Sequence, residues 1–192
     1  GGEEALLRLH TRASSMRIVT DIEGERPIHE VDTVSVFANS AGDFLVVTRC
    51  ADGVMLEGCK ASDCWKIDFE GKVFNFFAKN PRDRWMTDPQ YPLKLRAYFP
   101  DMKLLGTDVW DGVPVYVVEA DGREDHRMAF EVDTGLLTRM GYHRELRNYE
   151  RVDGVLMPRR VVYGRKGGSS TFVLDAIEHN VEIDPAVFSL AK

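Results

Sequence analysis

The 192-residue chain has little of what marks several large protein classes. Its longest apolar runs, such as Val113–Val118, are far shorter than the roughly 20 residues a membrane-spanning helix needs. Basic side chains are outnumbered, 25 against 31 acidic, for a formal net charge of −6. That balance gives no support to nucleic-acid binding, which usually shows a basic stripe, and disfavours attraction to an anionic membrane surface. Gly1-Gly2-Glu3-Glu4 lacks the basic start and apolar stretch of a signal peptide, so any natural leader is expected to have been removed. The five histidines, His10, His29, His126, His143 and His179, form no close ligand pair and flank no Ser or Cys nucleophile. Neither a metal site nor a cofactor is expected.

Cysteine is scarce as well: Cys50, Cys59 and Cys64. EGCKASDCW places four residues between the last two; this is not Cys-x-x-Cys, and no His lies close by in sequence, so a zinc site is not expected. The flanks read as paired strands, so Cys59 and Cys64 are either bridged across a small loop or two free thiols. Cys50, ending FLVVTRC, reads as a strand residue.

What the chain does have is a 44% hydrophobic content, enough for a sizeable core, and 10% aromatic residues, which argue against disorder. A length of this order suits a single domain spanning 1–192. GGEEALLRLHTRASS reads as a helix, with Glu3 and Glu4 in the first turn and Leu6, Leu7 and Leu9 as an apolar stripe. From Met16 the pattern becomes short runs rich in Val, Ile, Thr and Phe, ended by Gly, Asn or Asp, as in a meander of hairpins. Glu70-Gly71, Asp111-Gly112, Asp133-Thr134-Gly135 and Asp153-Gly154 carry turn chemistry. The segment from Phe77 to Met102 breaks this rhythm with Pro81, Pro89, Pro92 and Pro100, and LKLRAYF between the last two is long enough for two helical turns. The segment is expected to lie over the sheet as short helices and loop.

DHRMAFEV alternates with period two, His126, Met128, Phe130 and Val132 on one face and charged residues between them. A three-residue turn with Gly135 left-handed would pair Val132 with Leu136 and put Thr138, Met140 and Tyr142 on the same buried face. Tyr116 and Val118 would continue it on the preceding strand. The expected fold is therefore α+β, mainly antiparallel, with an apolar sheet face that something must cover. Catalytic readings are weak. His126 on that face reads as a packed histidine, the acidic residues around Gly122–His126 as solvated turn groups, and Gly167-Gly168-Ser169-Ser170 as a hairpin turn without a Walker pattern. Asp133-Thr134-Gly135 resembles the aspartic-protease signature, but no second such triad exists and a turn explains it. Large apolar residues instead gather where cover meets sheet: Phe74, Phe76, Phe77, Trp85, Tyr91, Tyr98, Phe99, Trp110 and Tyr116. They read either as plain core or as the wall of a slot for a small apolar ligand. Trp85, Tyr98, Tyr116, Met128, Phe130, Met140 and Tyr142 are the candidate ligand-binding residues.

Five blocks in order, GGEEALLRL, YPLKLRAYFPDMKLLGTDVWDGVPVYVVEA, MAFEVDTGLLTRM, YERVDGVLMPRRVVY and NVEIDPAVFSL, resemble the outer-membrane lipoprotein-sorting-like proteins, relatives of the LolA-type periplasmic carriers. The resemblance covers nearly the whole chain, while EGCKASDCW departs from it. It implies an incomplete, half-open β-barrel closed by helices, a periplasmic or cell-envelope location, and a concave interior that receives acyl chains. The implied partner is a hydrophobic small molecule or a lipoprotein acyl chain, with an envelope protein as a further partner. A non-catalytic interaction or sensor module with a solid core is the alternative, and a hydrolase the weakest reading.

Overall fold

The computed structural model describes residues 2–22, 32–61, 63–76, 84–165 and 168–190. A short helix, α1 (Glu3–Leu7), precedes six strands: β1 (Thr11–Ile22), β2 (Asp32–Asn39), β3 (Phe44–Cys50), β4 (Gly53–Lys60), β5 (Asp63–Ile67) and β6 (Val73–Phe76). Two helices follow, α2 (Arg84–Thr87) and α3 (Tyr91–Tyr98). Seven more strands complete the sheet: β7 (Lys103–Trp110), β8 (Val113–Ala120), β9 (Arg123–Glu131), β10 (Leu137–Met140), β11 (Arg144–Val152), β12 (Val155–Arg165) and β13 (Gly168–His179). A 3₁₀ turn at Pro185–Phe188 ends the described chain's regular structure.

All the described strands form one antiparallel, curved and unclosed sheet, in the order β6-β5-β4-β3-β2-β1-β13-β12-β11-β10-β9-β8-β7. Each strand pairs with its sequence neighbour except at two places. β1 and β13, near the two ends of the chain, meet in the middle of the sheet. β6 and β7 lie at opposite edges, and α2 and α3, which come between them in sequence, lie over the concave face. Local chemistry sets the hairpins. Asp111-Gly112, Asp121-Gly122 and Asp153-Gly154 all have positive φ at both residues, the two-residue turn whose twist suits paired strands.

The N-terminal helix is shorter than its sequence pattern predicts. Only Glu3–Leu7 is helical, and Thr11–Ile22 is a strand paired along its length with β13 on one side and throughout Thr11–Ile18 with β2 on the other. Pairing on both flanks outweighs the weak helical preference of residues 11–15, TRASS. The β9–β10 hairpin also differs by one residue from its expected register. Gly135 is left-handed as predicted, but the Glu131 N–H donates to the Leu136 carbonyl, and Val132 turns away to donate to Pro114 O. An irregularity between Leu137 and Arg139 then restores the phase, so Met140 faces Met128. Phe77, Pro81, His29 and Gly167 lie outside the described residues, while Gly168, Ser169 and Ser170, expected in a hairpin turn, open β13 as strand.

The core sits on the concave face. Met16, Val34, Val36, Phe44, Val46, Met128, Met140, Leu146, Val161 and Leu174 rise from the strands to meet Trp85, Tyr91 and Phe99 from the cover and Leu9 beyond α1. The convex face has its own smaller cover at one end. Trp65 lies across Gly58 on the adjacent strand, and its indole N–H donates to the carbonyl of the fully buried Phe188. Cys59 and Cys64 are a cross-strand pair of β4 and β5 and are joined by a disulfide.

Candidate functional site

Between the cover and the half of the sheet formed by β9 to β12 lies a cavity of about 430 Å³. α3 and the turn before it supply Pro89, Tyr91, Pro92 and Leu95, and α2 supplies Trp85. The sheet supplies Phe130, Leu137, Leu146, Tyr149, Val155 and Met157, while Leu6 of α1 closes one side. Gly2, Pro92, Thr134, Gly135 and Leu156 are wall residues that are also exposed, and they mark the mouth. This wall forms because β9 to β12 alternate. Their inward positions carry Met, Leu, Val, Phe and Tyr, and α3 has Pro92 in its first turn and ends before Pro100.

Two charged side chains stand in this otherwise apolar wall, and both hold the cover. Arg12 of β1 is 4% exposed. Its terminal nitrogens donate to the carbonyls of Trp85 (3.3 Å) and Pro89 (3.2 Å). Burial lowers its pKa to about 10, against the pull of nearby Asp88, so it stays cationic at neutral pH. Its Nε donates to His179 Nε2 at 3.3 Å, which leaves the proton on His179 Nδ1, 3.0 Å from Asp153 Oδ2. Asp88 is fully buried between α2 and α3. It accepts from Lys94 Nζ at 2.9 and 3.1 Å, from the Gln90 backbone N–H at 2.9 Å and from the Tyr98 hydroxyl. Lys94 also donates to Ser40 O at 2.8 Å, tying α3 to the turn between β2 and β3. Burial and the Asp88 bond together push the Tyr98 phenol well above its ordinary range.

The expected ligand-binding residues separate by position. Trp85 and Phe130 line the cavity. Met128 and Met140 face each other on β9 and β10, 1% and 3% exposed, as packed core beside it, and the Tyr91 hydroxyl lies 3.8 Å from the Met140 sulfur. Tyr98 stacks on Tyr91 at 5.7 Å and serves the cover through Asp88. Tyr116 is opposite Phe130 on the same face but reaches past the cover and is 41% exposed. Tyr142, expected on the buried face, lies beyond the end of β10 at 56% exposure and donates to Glu124. The chain turns at Gly141 before Tyr142 can continue the alternation.

Sequence reasoning passed over Arg12 and Asp88. For Arg12 a signal existed: Arg12, Ser14, Met16 and Ile18 share one face of β1, so an arginine in phase with Met16 points inward. For Asp88, buried between short helices, no periodic signal exists. Among the described residues no cluster of three His, Cys, Asp or Glu could hold a metal ion. Nor is any described helix long and apolar enough to cross a membrane.

No protein-family model matches the chain, and no curated protein matches it. Solved structures do. A LolA superfamily protein from Nitrosomonas europaea is similar over 95% of this chain and 91% of its own, with 10% identity and a TM-score of 0.68. A DUF1329 family protein from Desulfovibrio piger matches over 97% and 92%, with 14% identity and a TM-score of 0.65. A protein domain from Vibrio parahaemolyticus described as outer-membrane lipoprotein-sorting matches over 97% and 93%, with 10% identity and a TM-score of 0.62. At such identities the likeness speaks for the fold, and it extends across nearly the full length of each chain: this chain has the LolA-like fold, an open antiparallel half-barrel under a short helical cover.

Proposed function

We propose that this chain is a binding protein of the periplasm or cell envelope that holds an acyl chain or similar hydrophobic ligand, non-covalently, between sheet and cover. The observation that carries the reading is the cavity itself. Its 430 Å³ lies within the usual range for small-ligand sites, and its wall is hydrocarbon and aromatic. Each methylene moved from water into such a wall contributes about 0.8 kcal/mol, so chain length would dominate affinity. Arg12 and Asp88, the two charged groups, are engaged in holding the cover, which favours binding over catalysis as the activity. The Cys59–Cys64 disulfide supports an oxidising compartment, as the envelope provides. Carriage of a lipoprotein's acyl chains, the role suggested by the description of the Vibrio domain, is the finer version of this proposal.

The test is native mass spectrometry of protein purified from its own host, followed by organic extraction and titration with a fluorescent fatty acid. A co-purifying lipid, together with a Kd raised tenfold or more by Phe130→Asp at unchanged circular dichroism, is the expected result. An apoprotein that takes up no apolar probe would sink the reading.

A second use has its own observation. On the concave face of β7 and β8, past the cover, Leu104, Val109 and Tyr116 are 64%, 62% and 41% exposed, and β7 is a free edge. Such an edge suits an extended segment of an envelope protein. Weakening of a partner complex by Val109→Lys, with fatty-acid binding intact, would separate the two uses.

A further inference from the structure

The two charges in the cavity wall are not equally satisfied. Asp88 is well provided for: both its oxygens accept from Lys94, and the Gln90 N–H and the Tyr98 hydroxyl add to them. Arg12 is not. A guanidinium carries an N–H on Nε and a pair on each terminal nitrogen. In Arg12 the Nε–H goes to His179 Nε2, one hydrogen of Nη1 to Trp85 O and one of Nη2 to Pro89 O. The second hydrogen of Nη2 meets only the Met157 sulfur, at 3.9 Å, and the second hydrogen of Nη1 has no acceptor among the described residues. The charge is unmatched as well. Asp88 is ion-paired with Lys94 at 2.9 Å and Asp153 with His179 at 3.0 Å, while no carboxylate of the described residues is ion-paired with Arg12. Desolvation therefore outweighs the attraction of Asp88, and the Arg12 pKa falls to about 10. A cation buried without its own counter-charge costs free energy that a fitting anion recovers.

Position makes this unmet need part of the ligand site. Arg12 and its neighbours Trp85, Asp88, Pro89 and Met157 are buried and line the cavity together, whereas the mouth residues are exposed. The spare hydrogens therefore border the closed, inner end. Arg12 is also the one basic residue among the described residues of this wall. A planar fork of donors suits a carboxylate. A single guanidinium beside the fixed charge of Asp88 suits one negative charge better than the nearly double charge of a phosphate.

We propose that the inner end of the cavity is a carboxylate subsite, and that the ligand is an aliphatic monocarboxylic acid held head inward. This rests on the binding reading above and adds the ligand's class and orientation. The carboxylate takes the spare N–H groups of Arg12 and supplies the missing charge. The chain runs outward along Leu146, Tyr149 and Phe130 toward the mouth at Pro92 and Gly135. The bonds from Arg12 to Trp85 O and Pro89 O stay in place, so a bound acid and a closed cover share the same guanidinium. An acyl chain already joined to a lipoprotein has no carboxylate to offer and would enter methyl end first, so orientation separates the two ligands.

Photoaffinity labelling of the intact native chain reads that orientation. Two fatty-acid probes are used, one with a diazirine beside the carboxylate and one with it at the terminal methyl. The expected result is head-proximal labelling of Trp85, Pro89 or Met157 and terminal-methyl labelling of Pro92, Thr134, Gly135 or Leu156. A carbon-13 label on the carboxyl should give a bound resonance that stays ionised to a pH below the ordinary carboxylate range, because the guanidinium favours the anion. The native chain should bind the acid at least tenfold more tightly than its methyl ester, and in Arg12→Gln that ratio should fall to near one. The ratio is read within each protein, so a general loosening of the cover, which weakens acid and ester alike, cancels. The two native-chain readouts decide the matter if the variant does not fold. Reversed labelling, or a bound carboxyl that titrates as it does in water, would overturn the subsite and leave the cavity reading standing. Absence of saturable labelling by either probe would remove both.

Discussion

At the scale of single residues, contacts between neighbouring strands decide what is tolerated. Gly58 has an ordinary backbone angle, but a Cβ there would meet the Trp65 ring at 2.4 Å. The ring cannot retreat, since it is 6% exposed and its N–H is bonded to Phe188 O. Gly58→Ala is therefore expected to destabilise by about 1–3 kcal/mol in urea unfolding, with Trp65 fluorescence shifted toward that of an exposed indole. An unchanged midpoint would mean that the indole has another seat. The same scale shows what the sequence could reveal. Period-two alternation was sufficient to turn Met128 and Phe130 inward, because one face of β9 is wet and the other is not. Alternation could not show where the cover ends, and that boundary alone separates Phe130 in the cavity wall from Tyr116, its cross-strand neighbour in solvent.

At the scale of elements, the cover is held to the sheet by Arg12, whose own placement depends on His179. The His179 side chain is fully covered, and burial together with the Arg12 charge lowers its pKa from 6.5, despite the opposing bond to Asp153. A depressed histidine binds fewer protons folded than unfolded, so stability rises with pH across the interval between the two values. The stability is whole above 6.5 and falls as pH drops below it. Protonation would also set an Nε2–H against the Arg12 Nε–H at 3.3 Å, so the loss should be felt at the cover first. Protection factors of the α2 and α3 amides, which correct for the intrinsic slowing of exchange in acid, are expected to fall as pH drops below 6.5 in the native chain and to be nearly flat in His179→Gln. Equal pH dependence in both would show that another group titrates. The β4–β5 hairpin is a second element with a dedicated fastener. By the chain-entropy account its small disulfide loop contributes roughly 2 kcal/mol, which Cys59→Ala with Cys64→Ala should remove from the unfolding free energy.

At the scale of the whole molecule, the chain's path explains why the cover is separable from the sheet. Hairpins of neighbouring strands build nearly everything, which is why the meander, its turns and the proline-marked cover were readable in order. The closing contact was not: β1 finds β13 across some 150 residues of intervening chain, and no local signal specifies that pair. Nor did local pattern predict that β1 is a strand from Thr11, since its pairing on both sides supplies what propensity lacks. The result is a sheet continuous from β6 to β7 beneath a cover resting on polar pins and a partly empty interior. A ligand filling that interior binds the folded chain and not the unfolded one, so it must stabilise by mass action, about 2.7 kcal/mol at a hundredfold excess over Kd. For a chain of this size that corresponds to a Tm rise of about 5–10 °C. The added protection should be uneven: strong in α3 and in β9 to β12 around the cavity, weak in β3 to β5, whose convex face is already packed under Phe188. Protection spread evenly over the sheet would instead mean that the fatty acid binds outside the cavity, and the half-barrel would then be acting through its surfaces.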